Sequence, residues 1–99
     1  MIKQVTPEEV ANRLQNGEEV TVIDVREKSE VATGKIPGAK HMPIGLLALR
    51  KAELDKNKSY IVTCQSGNRS KVASGLLEVS GFKVEDMIGG MNNSNGMTE

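Results

Sequence analysis

The stretch "SYIVTCQSGNRS" (residues 59–70) decides the fold, because it joins a strand to a helix through a short polar loop. Residues 60–64, "YIVTC", are mostly apolar or β-branched, which is typical of a strand buried on both faces of a parallel sheet. The next segment, "RSKVASGLLEVSG" (69–81), is predicted to be a helix that ends at Gly81. Its predicted apolar stripe consists of Val72, Ala73, Leu76, Leu77 and Val79.

Strands and helices alternate along the rest of the chain. Strands are predicted in "IKQV" (2–5, an edge strand), "EVTVIDV" (19–25), a brief segment near His41, and "FKVEDMIGG" (82–90, a strand with its turn). Helices are predicted in "TPEEVANRLQNG" (6–17), "REKSEVATG" (26–34) and "GLLALRKAEL" (45–54), the first with a capping box formed by Thr6 and Glu9. This order predicts a single three-layer α/β domain over residues 1–99, with a mostly parallel central sheet flanked by helices and a loose tail at 91–99.

The composition narrows the possible partners and the compartment. Thirteen basic residues balance thirteen acidic ones, so no nucleic-acid or membrane-surface partner is expected. The apolar runs are too short to span a bilayer, and the start "MIKQVTPEEV" lacks the apolar core of a signal peptide. With one cysteine and no export signal, we expect a cytoplasmic protein whose thiol stays reduced.

Cys64 is the candidate nucleophile. It ends a predicted strand, and in parallel sheets ligands bind where such ends lead into helices. A tight loop before a helix presents free N–H groups, Gly67 permits the necessary curl, and Arg69 adds a cation. These surroundings favour the thiolate, the reactive form of cysteine. The alternative is a buried structural cysteine, which the polar residues after Cys64 disfavour. The candidate binding loop comprises Gln65, Ser66, Gly67, Asn68 and Ser70, with Lys71 as a weaker source of charge.

Asp24 and Arg26 follow the strand at 19–25 and are expected at the same sheet edge as Cys64. They either contact the substrate or form an ion pair that holds a loop, Arg26 pairing with Asp24, Glu27 or Glu30. The structural role is favoured, because charges at a buried edge are usually paired. His41 is the only histidine, and the chain has neither a Cys/His cluster nor a phosphate-binding or dinucleotide motif. No metal and no cofactor are therefore expected.

Four motifs together resemble the single-domain rhodaneses, a family of sulfurtransferases. They are "VIDVRE" (22–27), "EVATGKIPGAKHMPI" (30–44), "VTCQSGNRS" (62–70) and "GFKVEDMIGGM" (81–91), in the family's order. The resemblance covers nearly the whole chain and implies the rhodanese-like fold. It also implies that Cys64 takes a sulfur atom from a donor such as thiosulfate, holds it as a persulfide, and yields it to a thiol or cyanide in a ping-pong reaction. Arg69 would supply charge, and a cysteine desulfurase or thioredoxin-like protein is an implied partner.

The resemblance leaves two other functions open. Cysteine-dependent phosphatases and arsenate reductases also place an arginine after the cysteine, but their loop is one residue longer than the four residues between Cys64 and Arg69. A shorter loop suits one sulfur atom better than a tetrahedral oxyanion. Rhodanese-like modules also serve as non-catalytic sulfur carriers, or as binding or regulatory domains, the latter typically without the cysteine.

Three positions depart from the family's pattern. Lys35 replaces a frequent histidine, and Val31 replaces a common aromatic residue. Ser94 stands where a tryptophan usually follows the Gly-Gly turn and packs near the mouth of the active site. The loss of this aromatic residue is expected to open the site, loosen the tail or weaken substrate binding.

Overall fold

A five-stranded parallel sheet forms the centre of the protein in a computed structural model that describes residues 2–93. The strands are β1 (Lys3–Val5), β2 (Thr21–Asp24), β3 (Lys40–His41), β4 (Ser59–Thr63) and β5 (Lys83–Met87). The helices are α1 (Pro7–Gln15), α2 (Lys28–Val31), α3 (Ile44–Arg50) and α4 (Asn68–Val79), with 3-10 helices at Lys51–Glu53 and Gly90–Asn93.

The strands lie in the order β1-β5-β4-β2-β3, and every pairing is parallel. Strand β4 is central, and β1 is at an edge, as its short sequence predicted. All carboxyl ends of the strands therefore meet at one edge of the sheet, and the loop that follows β4 lies in the middle of that edge.

Two apolar clusters, one on each face of the sheet, make up the core. Successive residues of β4 alternate between them: Ile61 packs with Val10 of α1, whereas Val62 packs with Leu47 of α3 and Leu77 of α4. The domain thus has three layers, and the α/β class predicted from the strand–helix alternation is confirmed. No helix within residues 2–93 has both the length and the apolar character needed to cross a membrane.

The first helix forms as its sequence predicts. The Thr6 hydroxyl accepts a hydrogen bond from the Glu9 N–H at 3.1 Å, and the Glu9 carboxylate accepts one from the Thr6 N–H at 3.3 Å. This reciprocal pair satisfies N–H groups that have no partner within the helix.

The predicted apolar stripe of α4 is only partly correct. Ala73 and Leu77 are buried, but Val72, Leu76 and Val79 are exposed, at 68%, 39% and 89%. The face of α4 that meets the sheet instead includes the buried Ser70 and Ser74, together with Ala73 and Leu77. Three of these four side chains are small, which lets the helix lie close to the strands.

The prediction of a loose tail from residue 91 is wrong for residues 91–93. Residues 90–93 form a 3-10 helix in which Met91 is buried, so this part of the segment is ordered against the domain. Ser94 and the rest of the predicted tail lie outside the described residues.

Candidate active site

Cys64 follows β4 directly and lies at the carboxyl end of the central strand, as the sequence predicted. Only 1% of the residue is exposed, and it belongs to the apolar cluster that also contains Val25, Met42 and Ala73. The inference that the polar residues after Cys64 argue against its burial is therefore wrong. The polar residues after Cys64 form the outer part of the loop, while neighbouring elements supply an apolar wall behind the thiol.

The loop presents backbone N–H to the sulfur. The Gly67 N–H donates a hydrogen bond to Cys64 Sγ at 3.0 Å. Gly67 has φ = +102°, a left-handed conformation that favours glycine, and forms the N-cap of α4. The Ser70 hydroxyl, buried in the first turn of α4, donates to the Gly67 carbonyl at 3.1 Å and fixes this curl. Ser66 and Asn68 are exposed on the outside of the loop.

The turn after β5 supports the loop from behind, through backbone contacts that the sequence analysis did not predict. The Met91 N–H donates to the Cys64 carbonyl at 2.7 Å, and the Asn92 N–H donates to the Gln65 carbonyl at 2.9 Å. Gly90 (φ = +58°) lies so close that an added Cβ would be 2.3 Å from the Cys64 carbonyl oxygen. In the sequence, the signal for this contact is the pair of adjacent glycines, Gly89 and Gly90, that follows a predicted strand.

Asp24 and Arg26 form a buried ion pair that ties several segments together. Arg26 Nη2 lies 2.8 Å from Asp24 Oδ2, and both side chains are at most 1% exposed. The same guanidinium donates to the Gln65 side chain at 3.0 Å and to the carbonyls of Glu30 and Gly34. The predicted ion pair is therefore present, and one of its contacts orients a residue of the cysteine loop.

Gln65 is held at both ends of its amide group. Its oxygen accepts from Arg26, and its nitrogen donates to Asn92 Oδ1 at 2.7 Å. The side chain thus bridges the buried ion pair and the turn after β5, so we interpret Gln65 as a residue that positions the loop.

Arg69 supplies a cation at the end of the loop, but a carboxylate that the sequence analysis did not assign to it pairs with this cation. Its two terminal nitrogens donate to the two carboxylate oxygens of Glu30, at 2.6 and 2.7 Å. Both side chains are about one-third exposed, at 33% and 28%. The pKa of Arg69 is raised mainly by this hydrogen bond to Glu30, and negative charge at Cys64 contributes less. Lys71 is exposed on α4.

His41 is engaged elsewhere. Its Nε2 lies 2.7 Å from the Arg26 carbonyl oxygen, so this ring helps to hold the segment after β2. Within residues 2–93, no group of three or more His, Cys, Asp and Glu side chains is arranged to hold a metal ion.

These observations define a class of α/β domain that carries a thiol at the carboxyl end of a central parallel strand, in a curled loop before a helix. The family model of the rhodanese-like domain matches residues 6–95, and the chain belongs to that family. The resemblance seen in the four sequence motifs is confirmed.

Relatives and solved structures agree with this assignment. YtwF of Bacillus subtilis is 39% identical over 90 residues, covering 91% of this chain and 87% of YtwF. A sulfurtransferase of Allochromatium vinosum is 33% identical over 92 residues, covering 92% and 86%. The thiosulfate sulfurtransferase GlpE of Pseudomonas putida is 35% identical over 82 residues, covering 81% and 72%. A rhodanese-like domain protein from Staphylococcus aureus superposes with a TM-score of 0.94 at 31% identity, covering 99% and 97%. These relatives support sulfur transfer as the general class of activity.

Proposed function

We propose that the protein is a sulfurtransferase that carries a sulfane sulfur on Cys64 as a persulfide. The observation that carries this proposal is the hydrogen bond from the Gly67 N–H to Cys64 Sγ, in a loop at the carboxyl end of the central strand. A backbone donor aimed at Cys64 Sγ stabilises the negative charge of the attacking thiolate.

The reaction has two steps. The Cys64 thiolate attacks the outer sulfur of thiosulfate, a new S–S bond forms, and the original S–S bond breaks with its electron pair leaving on sulfite. An acceptor then attacks the outer sulfur of the persulfide and regenerates the Cys64 thiolate; cyanide leaves as thiocyanate, and a thiolate leaves as its persulfide. Cys64 is the only cysteine, so the second step requires a nucleophile from outside the chain.

The surroundings of Cys64 restrict how the donor approaches. The thiol belongs to an apolar cluster, whereas Ser66 and Asn68 of the loop are exposed. We infer that the donor approaches the sulfur from the side of these two residues. Arg69 lies at the end of this loop, and Glu30 engages two of its five N–H donors. We assign Arg69 to contact the leaving group, with the loop amides holding the transferred sulfur.

A phosphatase or arsenate reductase activity is less well supported. The loop has four residues between Cys64 and Arg69, and the Arg69 guanidinium is already paired bidentately with a carboxylate. A tetrahedral oxyanion would have to displace Glu30 to gain the same two hydrogen bonds. Hydrolysis of an aryl phosphate at a rate that depends on Cys64 would favour this alternative.

The sulfur donor in the cell is proposed to be either a small molecule such as thiosulfate or the persulfide of a cysteine desulfurase. The acceptor is proposed to be a small thiol or a thioredoxin-like protein. Either exchange suits a reducing, cytoplasmic setting, because the attacking group is a free thiolate.

Intact-mass spectrometry tests the proposal directly. The purified protein is incubated with thiosulfate and measured before and after addition of cyanide, with Cys64→Ser as the control. We expect the wild type to gain one sulfur atom that cyanide removes, and the variant to gain none. If the folded, reduced wild type gains no sulfur from thiosulfate or from a loaded cysteine desulfurase, the proposal fails and a binding role is favoured.

A further inference from the structure

Two arginines lie next to the cysteine loop, and each is matched by a carboxylate. Arg26 pairs with Asp24 below the loop, and Arg69 pairs with Glu30 at its end. These four groups sum to zero charge. An anionic donor that approaches Cys64 therefore meets the Gly67 N–H but no net positive charge from these four residues.

Glu30 belongs to α2, and hydrogen bonds from Glu27 and Arg26 hold it in position. One of its carboxylate oxygens also accepts from the Glu27 N–H at 2.9 Å, and its carbonyl accepts from Arg26 at 3.2 Å. The hydrogen bond from Arg69, followed by that from the Glu27 backbone, lowers the pKa of Glu30 from 4.5 to about 2. The carboxylate is consequently ionised at neutral pH and stays beside Arg69.

We propose that Glu30 determines which donors the site accepts, by cancelling the charge of Arg69 and so disfavouring dianionic sulfane donors relative to monoanionic ones. This inference rests on the proposed sulfur transfer and adds a residue that selects the donor by its charge. Thiosulfate is a dianion, whereas an organic thiosulfonate or a persulfide anion carries one charge. The repulsion from Glu30 scales with the charge of the donor, so it slows the dianion most.

The test compares two donors that differ mainly in charge. Methanethiosulfonate replaces one oxyanion of thiosulfate with a methyl group and transfers the same outer sulfur, with methanesulfinate as the leaving group in place of sulfite. The second-order rate constant for persulfide formation on Cys64 is measured from the intact mass of quenched samples, for the wild type and for Glu30→Gln. The Gln side chain keeps an oxygen that accepts from Arg69 or from the Glu27 N–H, so the local structure is retained while the charge is lost.

We expect Glu30→Gln to load sulfur from thiosulfate roughly tenfold faster, and from methanethiosulfonate roughly threefold faster, because the electrostatic energy is proportional to the donor's charge. Both increases should shrink as the salt concentration rises. Glu18→Gln is the matched control, since Glu18 forms a similar exposed pair with Arg13 at 2.9 Å but precedes β2 at the opposite edge of the sheet. It should leave both rate constants unchanged.

The outcomes separate the two proposals. If the wild type gains sulfur from neither of these donors nor from a loaded cysteine desulfurase, the sulfur-transfer proposal itself fails. If only the desulfurase loads it, sulfur transfer stands and the selection of small donors by Glu30 is refuted. If the wild type is loaded but Glu30→Gln changes both rate constants by the same factor, or lowers them, Glu30 holds the loop in shape and does not select by charge. Thermal unfolding of both variants shows whether any such loss comes from the fold.

Discussion

Replacing Gly90 with alanine tests the contact between the turn after β5 and the cysteine loop. The new Cβ would lie 2.3 Å from the Cys64 carbonyl oxygen and 2.8 Å from that of Gln65, so backbone atoms must move. Gly90 also has φ = +58°, which costs a residue with a side chain about 1–2 kcal/mol. Overpacking adds about 1–3 kcal/mol. We expect Gly90→Ala to lower the free energy of unfolding by about 3 kcal/mol and to slow persulfide formation, because the displaced carbonyls belong to the loop.

Gly17→Ala is the control for the conformational part of this cost. Gly17 has φ = +73°, but an added Cβ would meet nothing within 4 Å. Urea denaturation should therefore show a loss of about 1 kcal/mol for Gly17→Ala, with sulfur loading unaffected. For a domain of this size, each kcal/mol corresponds to about 4–8 °C in Tm. Equal losses in the two variants, together with normal loading by Gly90→Ala, would refute the role assigned to this contact.

Three further changes have defined outcomes. Cys64→Ser should abolish sulfur transfer while the far-UV circular dichroism stays that of the wild type, and any retained turnover would remove Cys64 as the nucleophile. Asp24→Asn leaves Arg26 buried without its carboxylate, so urea denaturation should show that the free energy of unfolding falls by about 3–5 kcal/mol. A fall of less than about 1 kcal/mol would contradict the interpretation of this pair as a buried ion pair. The folded-state pKa of Glu30 is about 2, below its ordinary value of 4.5. The ionised group therefore stabilises the fold above pH 4.5, and this stabilisation is lost as the pH falls towards 2. The difference in unfolding free energy between the wild type and Glu30→Gln should shrink over that range, whereas a constant difference would show that the carboxylate's charge contributes nothing.

The exposed stripe on α4 shows where sequence patterns mislead. Spacing alone grouped Val72, Leu76 and Val79 with the core, since each recurs at a helical interval. In the structure, the sheet-facing side of α4 includes Ser70, Ala73 and Ser74. Which side of a helix is buried depends on how closely it approaches its neighbours, and the sequence of the helix does not contain that distance.

The sequence alone determined three features of the protein. They are the order of strands and helices along the chain, the capping box of α1, and the position of Cys64 between β4 and α4. Each of these depends on residues that are close together in the chain, where the periodicity of apolar residues and local hydrogen bonding decide the outcome. Only the tertiary structure decided three others: the burial of Cys64, the pairing of Arg69 with Glu30, and the support of the loop by residues 90–92. These contacts join residues far apart in sequence, such as Glu30 and Arg69, 39 positions apart, or Gln65 and Asn92, 27 positions apart. Several partners satisfy the local chemistry of an arginine or a loop carbonyl, and only the packing of α2, α4 and the turn after β5 around the sheet selects among them.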